Sequence, residues 1–114
     1  MNINLANMSV PAANGFYSIN ESYDYNINGI NIKKDEINTY CFDANGNMIT
    51  GFVQTLDNKI YLFEYMKNAR EGQMVFGWRF VNGYWYYFQE DGSMLVNGMT
   101  PDGYFVDEYG RWIK

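Results

Sequence analysis

Composition and charge narrow the functions open to this chain of 114 residues. Aromatic residues make up 19% of it, tyrosine alone occurs eleven times, and the net charge is −5 at pH 7. Nucleic-acid-binding domains need clustered Lys and Arg, so this acidic balance argues against a phosphate-binding surface. No stretch approaches the roughly 20 apolar residues that cross a bilayer, which argues against membrane insertion.

The N-terminal third, residues 1–36, carries the weakest pattern. Its first fifteen residues have neither the basic region nor the apolar core of a signal peptide, and about the first 14 are expected to be partly flexible. Ile27 to Ile32 alternates around Asn28-Gly29, which is typical of a hairpin. We therefore expect an N-terminal cap or degenerate hairpin over residues 1–36, followed by a repeat array over residues 37–114.

Three segments of the remaining chain share one pattern: aromatic-x-aromatic, a spacer, Gly-x-Met, and then glycine before a large apolar residue. They cover residues 39–52, 60–78 and 85–99, and a shorter unit from Pro101 closes the chain. Glycine at fixed offsets is typical of a solenoid, in which each unit packs on its neighbours. The predicted fold class is all-β, a solenoid of about three stacked β-hairpins plus a terminal unit.

The clearest hairpin is predicted at Asn82-Gly83, because a type I′ turn needs φ > 0 at both central positions. Four consecutive aromatic residues, Trp85 to Phe88, follow this turn. Successive residues of a strand point to opposite faces, so both faces carry rings. One small hairpin cannot bury them all, and a neighbouring hairpin or a ligand must cover the rest.

One repeat is five residues longer than the next, and the excess lies between Phe63 and Gly72. We expect this insert to lengthen one loop while the hairpin is retained. Within it, Glu64 to Glu71 is the one place in this half of the chain suited to a helical turn.

The block G-W-R-F-V-N-G-Y-W-Y-Y-F-Q-E-D-G-S-M, residues 77–94, resembles the choline-binding, or cell-wall-binding, repeats of bacterial surface proteins, autolysins and phage lysins. It is also similar to the short repeats in the receptor-binding regions of clostridial-type toxins. The resemblance covers about residues 39–114 and implies a solenoid of β-hairpins. It further implies an extracellular or bacterial cell-surface protein whose partner is a choline-bearing or other wall polymer, or a glycan.

In choline-binding members of this family the ligand lies between successive hairpins, enclosed by aromatic side chains. Carried over to this chain, the resemblance gives Trp78 and Trp85 as walls, Phe105 as the closing ring, and Met94 or Met99 beside them. Tyr87 is a further expected ligand contact, although Trp85 and Tyr87 would serve equally as core gripping the next hairpin. A quaternary ammonium cannot donate hydrogen bonds, so the negative faces of rings recognise it, at about 0.5–2 kcal/mol each when desolvated.

Comparison of the repeats limits the number of such sites and indicates a role for the methionines. Ile60 and Leu62 stand where Trp85 and Tyr87 do in the next unit, so at most one complete aromatic site is expected. Met48, Met74 and Met94 recur at one repeat position, which favours a gap-filling role in the core.

The resemblance implies a non-catalytic module that binds the cell wall. The chain has no His and no nucleophile motif, its lone Cys41 is expected to be a buried hydrophobe, and neither cofactor nor metal is expected. A carbohydrate-binding module is the second interpretation, with rings stacked on sugars, and the long insert favours it. A structural or self-associating array, forming a homodimer through exposed rings, is the third.

Overall fold

The computed structural model describes residues 15–114, and this part of the chain consists of nine β-strands joined by turns and coil. Their bounds are β1 Phe16–Ile27, β2 Ile30–Phe42, β3 Met48–Ile49, β4 Gly51–Gln54, β5 Ile60–Phe63, β6 Gly77–Val81, β7 Tyr84–Phe88, β8 Gly98–Met99 and β9 Phe105–Val106. Strands β1 to β3 form one antiparallel sheet, and β4–β5, β6–β7 and β8–β9 are separate two-stranded sheets. The predicted all-β hairpin solenoid is confirmed. The flexibility expected of the first 14 residues lies outside the described range.

Asn-Gly pairs make two of the hairpin turns, as their sequence predicts. Asn28 and Gly29 have φ of 52° and 82°, and Asn82 and Gly83 have φ of 49° and 92°. Both central residues are therefore in the left-handed region that a type I′ turn requires. The first turn joins β1 to β2, and β2 runs through the boundary expected between residues 36 and 37. The division into a cap and an array stays a prediction.

The first hairpin is far longer than the others, and the insert braces it. β1 and β2 have 12 and 13 residues, against five each in β6 and β7. Arg70, from the insert, forms an ion pair with Glu36 and lies 4.6 Å from the centroid of the Tyr23 ring. The Gln73 Nε2 donates a 2.6 Å hydrogen bond to the Tyr23 hydroxyl. At the stretch suited to a helical turn, residues 66–72 form bends and hydrogen-bonded turns, and no helix is present over residues 64–71.

A recurring backbone hydrogen bond ties each unit to the preceding hairpin. The donors are the amides of Met74, Met94 and Trp112, and the acceptors are the carbonyl oxygens of Thr39, Ile60 and Trp85, at 2.7, 2.7 and 2.9 Å. The three acceptors occupy the same position of successive repeats. This regular link stacks the hairpins in chain order, as expected of a solenoid.

Methionine side chains fill a space that glycine leaves in the following unit. A Cβ atom on Gly72, Gly92 or Gly110 would collide with the sulfur of Met48, Met74 or Met94, respectively. All three glycines also have φ between 80° and 88°, which L side chains rarely adopt. The repeated Gly-x-Met pattern therefore encodes a stack of thioethers against bare backbone, the gap-filling role that its spacing indicates.

Buried side chains form two clusters between hairpins. One contains Phe16, Cys41, Tyr61 and Phe63, and the other contains Leu62, Val81, Phe88 and Met94. Cys41 is the small buried hydrophobe that was expected, and burial raises the pKa of its thiol. Over residues 15–114, no helix has the length and apolarity of a membrane span.

Candidate functional site

Four equivalent positions meet wherever one hairpin packs on the next. Two positions come from the first of the two hairpins: the residue after its opening glycine, and a residue in its second strand. The other two come from the following unit: an aromatic residue of its hairpin, and the residue that follows Gly-x in the coil after that hairpin. The first junction joins Phe16, Thr39, Tyr61 and Met74, the second joins Phe52, Ile60, Tyr86 and Met94, and the third joins Trp78, Trp85, Tyr104 and Trp112. The three junctions share a backbone frame and differ in side chains.

At the third junction, four aromatic rings enclose a recess of about 320 Å³. The centroid of the Trp78 ring lies 6.5 Å from that of Trp85, with an angle of 83° between the ring planes, and 6.0 Å from that of Tyr104, with an angle of 81°. Tyr104 in turn meets Trp112 at 5.9 Å and 84°. Because neighbouring rings stand nearly at right angles, they form the walls of an open container, which we call the aromatic box.

Strand pairing places the two upstream walls on one face of the β6–β7 hairpin. Trp78 lies opposite Tyr87 across the hairpin, and Phe80 lies opposite Trp85. The Trp78 ring rests edge-on against Tyr87 at 5.3 Å, and the ring of Phe80 lies 5.3 Å from that of Trp85. Tyr87 and Phe80 therefore support the walls from the side, while Trp85 itself remains 42% exposed.

The turn between β8 and β9 fixes the other side of the box. The indole Nε1 of Trp78 donates a 3.0 Å hydrogen bond to the Asp102 carboxylate. The Thr100 hydroxyl donates to the other carboxylate oxygen at 2.6 Å and accepts from the Tyr104 amide at 3.0 Å. The hydrogen bond from Thr100, which has the larger effect, and the hydrogen bond from Trp78 both lower the pKa of Asp102. The turn thus sets Tyr104 and a negative charge beside the same indole.

The structure brings together two of the predicted site residues, Trp78 and Trp85, and places the others elsewhere. Phe105 does not line the box, because neighbouring residues of an extended chain point to opposite faces and Tyr104 already faces Trp78. Phe105 instead lines a shallow depression with Ile113.

The remaining predicted residues also lie outside the box. Met94 is 9% exposed and packs beneath Gly110, because its thioether fills the space of the missing Cβ. Tyr87 and Met99 line a separate groove beside Pro101. Tyr87 reaches the box only through its contact with Trp78.

Sequence reasoning missed two walls, although signals for both were present. Gly110-Arg111-Trp112 repeats the spacing of Gly92-Ser93-Met94, with tryptophan in place of methionine. Tyr104 aligns with Tyr86 when hairpins are matched from the end of the second strand. The opening pair Gly15-Phe16 of the first unit was missed in the same way, since it matches Gly77-Trp78.

The chemistry of the aromatic box suits a cation without hydrogen-bond donors. Its walls offer ring faces, whose quadrupole attracts positive charge. One such contact occurs within the chain, where the Lys114 ammonium lies 5.8 Å from the centroid of the Trp112 ring. The Asp102 carboxylate, held beside Trp78, adds negative potential at this end of the molecule.

Comparisons with known proteins identify the repeats. The family model of the choline-binding repeat matches residues 77–112. The solved choline-binding domain of Spr1274 from Streptococcus pneumoniae is 30% identical with a TM-score of 0.56, over 80% of this chain and 93% of that domain. This chain belongs to the choline-binding repeat family.

Larger choline-binding proteins contain the same arrangement of hairpins. Choline-binding protein F from Streptococcus pneumoniae is 31% identical with a TM-score of 0.57, and CbpJ from the same species is 32% identical with a TM-score of 0.56. Each match covers 82% of this choline-binding repeat chain but only 27% of the larger protein. Choline-binding protein F, abbreviated CbpF, has been solved in complex with ipratropium and in the presence of a peptidoglycan analogue. A search of curated protein sequences found no match.

Proposed function

We propose that this chain is a non-catalytic module that anchors its parent protein to a bacterial cell wall by holding choline in the aromatic box. The observation that carries the proposal is the enclosure of one recess by Trp78, Trp85, Tyr104 and Trp112. Rings that contribute about 0.5–2 kcal/mol each supply a few kcal/mol together. About 4 kcal/mol corresponds to millimolar affinity, and further sites along a longer array would add avidity.

The partner we propose is a choline-bearing wall polymer, which places the module on the outer surface of a Gram-positive cell. Membership of the choline-binding repeat family supports this location, since such repeats anchor proteins to the wall surface. The absence of histidine from the chain is consistent with a role in binding rather than catalysis.

Tryptophan fluorescence tests the proposal directly, because all three tryptophans of the chain line the aromatic box. Titration with choline chloride should change the emission and saturate in the millimolar range. Trp85→Ala should abolish most of the response, because it removes one wall. Phe105→Ala is the matched control: Phe105 is a 53% exposed ring next to Tyr104 in the terminal unit but lies outside the box, so its removal should leave the titration unchanged.

Two outcomes would contradict this function. One is a flat titration up to high millimolar choline while circular dichroism reports an intact fold. The other is loss of the response in Phe105→Ala with retention in Trp85→Ala, which would place the ligand near Ile113 instead.

The carbohydrate-binding interpretation stays a prediction, and the structure of the insert adds no support for it. The insert packs against the first hairpin through Arg70 and Gln73, so its length is explained by bracing. Association of two copies through exposed rings such as Phe105 stays a prediction. Light scattering with and without choline tests it, since ligand should compete with any association that uses the aromatic box.

A further inference from the structure

The second junction holds a cavity of different chemistry from the aromatic box. Its volume is about 550 Å³, within the range of about 300–1,000 Å³ typical of small-molecule sites. Ile60 and Met94 occupy the positions that Trp85 and Trp112 hold at the third junction. Two rings of this junction remain, Phe52 and Tyr86, which meet edge to face at 5.6 Å.

The coil of the terminal unit adds polar groups to this cavity. Glu108, Tyr109 and Arg111 line it together with Gln54 from β4. The Arg111 guanidinium stacks over Tyr84 at 4.0 Å and lies 5.4 Å from the centroid of the Tyr109 ring, which leaves it fixed at the cavity wall. Within residues 15–114 its buried Nε has no hydrogen-bond partner. At the first junction the corresponding rings are more buried, since Phe16 and Tyr61 are each only 7% exposed.

Arg111 and Glu108 carry opposite charges, so neither a simple cation nor a simple anion is matched by both charged groups of this cavity. A quaternary ammonium would face the permanent positive charge of Arg111 and find fewer ring faces than in the aromatic box. An anion would face the Glu108 carboxylate and the net charge of −5. A neutral molecule escapes both repulsions. It can also use every polar group present, since Gln54 donates and accepts, Arg111 donates, and Glu108 accepts.

We propose that the cavity at the second junction binds a neutral sugar ring. A pyranose has apolar faces that pack on Phe52, Tyr86 or Tyr109, and hydroxyls that both donate and accept hydrogen bonds. The chain then carries two binding sites one hairpin apart, with a cation in the aromatic box and a sugar at the second junction. The sugar site does not depend on choline binding at the box.

Nuclear magnetic resonance titration of the ¹⁵N-labelled chain separates the two sites. The probes are N-acetylglucosamine and methyl β-D-glucopyranoside, with choline chloride as the reference. The sugars should shift the Gln54 side-chain amide and the backbone amides of Tyr109 and Arg111, and leave the three indole signals in place. Choline should do the reverse.

Three variants assign the sugar response. Tyr109→Ala and Gln54→Ala change exposed residues and should each weaken sugar binding about tenfold, which corresponds to 1.4 kcal/mol. Trp85→Ala should lose the choline shifts and keep the sugar shifts.

Three results would overturn the sugar site: no shifts with either sugar, sugar shifts confined to the indoles, or choline shifts centred on Gln54 and Arg111. The indole signals report choline binding at the aromatic box independently, so failure of the sugar site and failure of the choline site are distinguishable.

Discussion

Gly110 offers a test of the packing that holds successive units together. A Cβ at this position would lie 2.8 Å from the sulfur of Met94 and 3.0 Å from its Cγ, and the backbone φ is +80°. Gly83 is a matched control, because its φ is +92° and its Cβ would meet nothing within 4 Å. Alanine at Gly83 therefore adds only backbone strain, whereas alanine at Gly110 adds strain and a collision.

The two contributions have different expected magnitudes. Left-handed backbone costs an L residue about 1–2 kcal/mol, and overpacking a filled site costs about 1–3 kcal/mol more. We expect Gly83→Ala to lower the free energy of unfolding by about 1–2 kcal/mol and Gly110→Ala by about 2–5 kcal/mol.

Urea unfolding followed by far-UV circular dichroism measures both variants, and an unchanged m-value keeps the comparison valid. Equal losses for Gly83→Ala and Gly110→Ala would refute the reasoning. They would show that Met94 swings aside freely and is not a fixed strut between units.

Three further predictions concern ionic groups. Asp102→Asn should weaken choline binding at neutral pH, because it removes the negative charge beside Trp78. In the wild type, the affinity for choline should hold as pH falls and decline only below the ordinary carboxyl pKa of 3.8, because the pKa of Asp102 is lowered. Choline titrations at several pH values measure this dependence. Glu64→Gln breaks a two-bond pair with Arg79 at 2.9 and 2.7 Å and should cost about 1–3 kcal/mol in urea unfolding at pH 7. Arg79 lowers the pKa of Glu64, so this stabilisation is present above the unfolded value of 4.5 and the cost should vanish in acid. Arg70→Ala should speed amide exchange in β1 and β2 without changing choline titration, whereas Lys67→Ala, whose pair with Glu71 is exposed, should change neither.

Turn chemistry and repeat spacing were enough to predict the hairpins, because a type I′ turn is decided by two adjacent residues. The length of the first hairpin was beyond such reasoning. Apolar residues alternate with polar ones through β1 from Tyr17 to Ile27, except at Glu21, but β2 is interrupted by a charged run over residues 33–36. The alternation therefore marks the turn at Asn28-Gly29 and does not reach the far end of β2. The far ends of β1 and β2 are held by their pairing with each other and by contacts with the insert, and both are contacts between distant parts of the chain.

The structure brings Trp78 and Trp85 together at the aromatic box, and Tyr104 rather than Phe105 faces Trp78 there. Trp78 and Trp85 followed from a motif within a single hairpin. The wall from the next hairpin depended on which of Tyr104 and Phe105 faces upstream, and a shift of one residue exchanges the two faces of a strand. Trp112 was missed, because its match to Met94 becomes clear only when the coil after each hairpin is compared.

The amide of Trp112 donates a hydrogen bond to the carbonyl oxygen of Trp85. The walls of the aromatic box therefore come from two units, and the box forms only when these units pack together. Ligand affinity and docking of the two units are then linked: a ligand in the aromatic box holds the two units together, and separation of the units at this junction releases the ligand. Ligand binding in such a protein depends on contacts between units, and wall attachment would itself reinforce the junction between the β6–β7 hairpin and the unit that follows it.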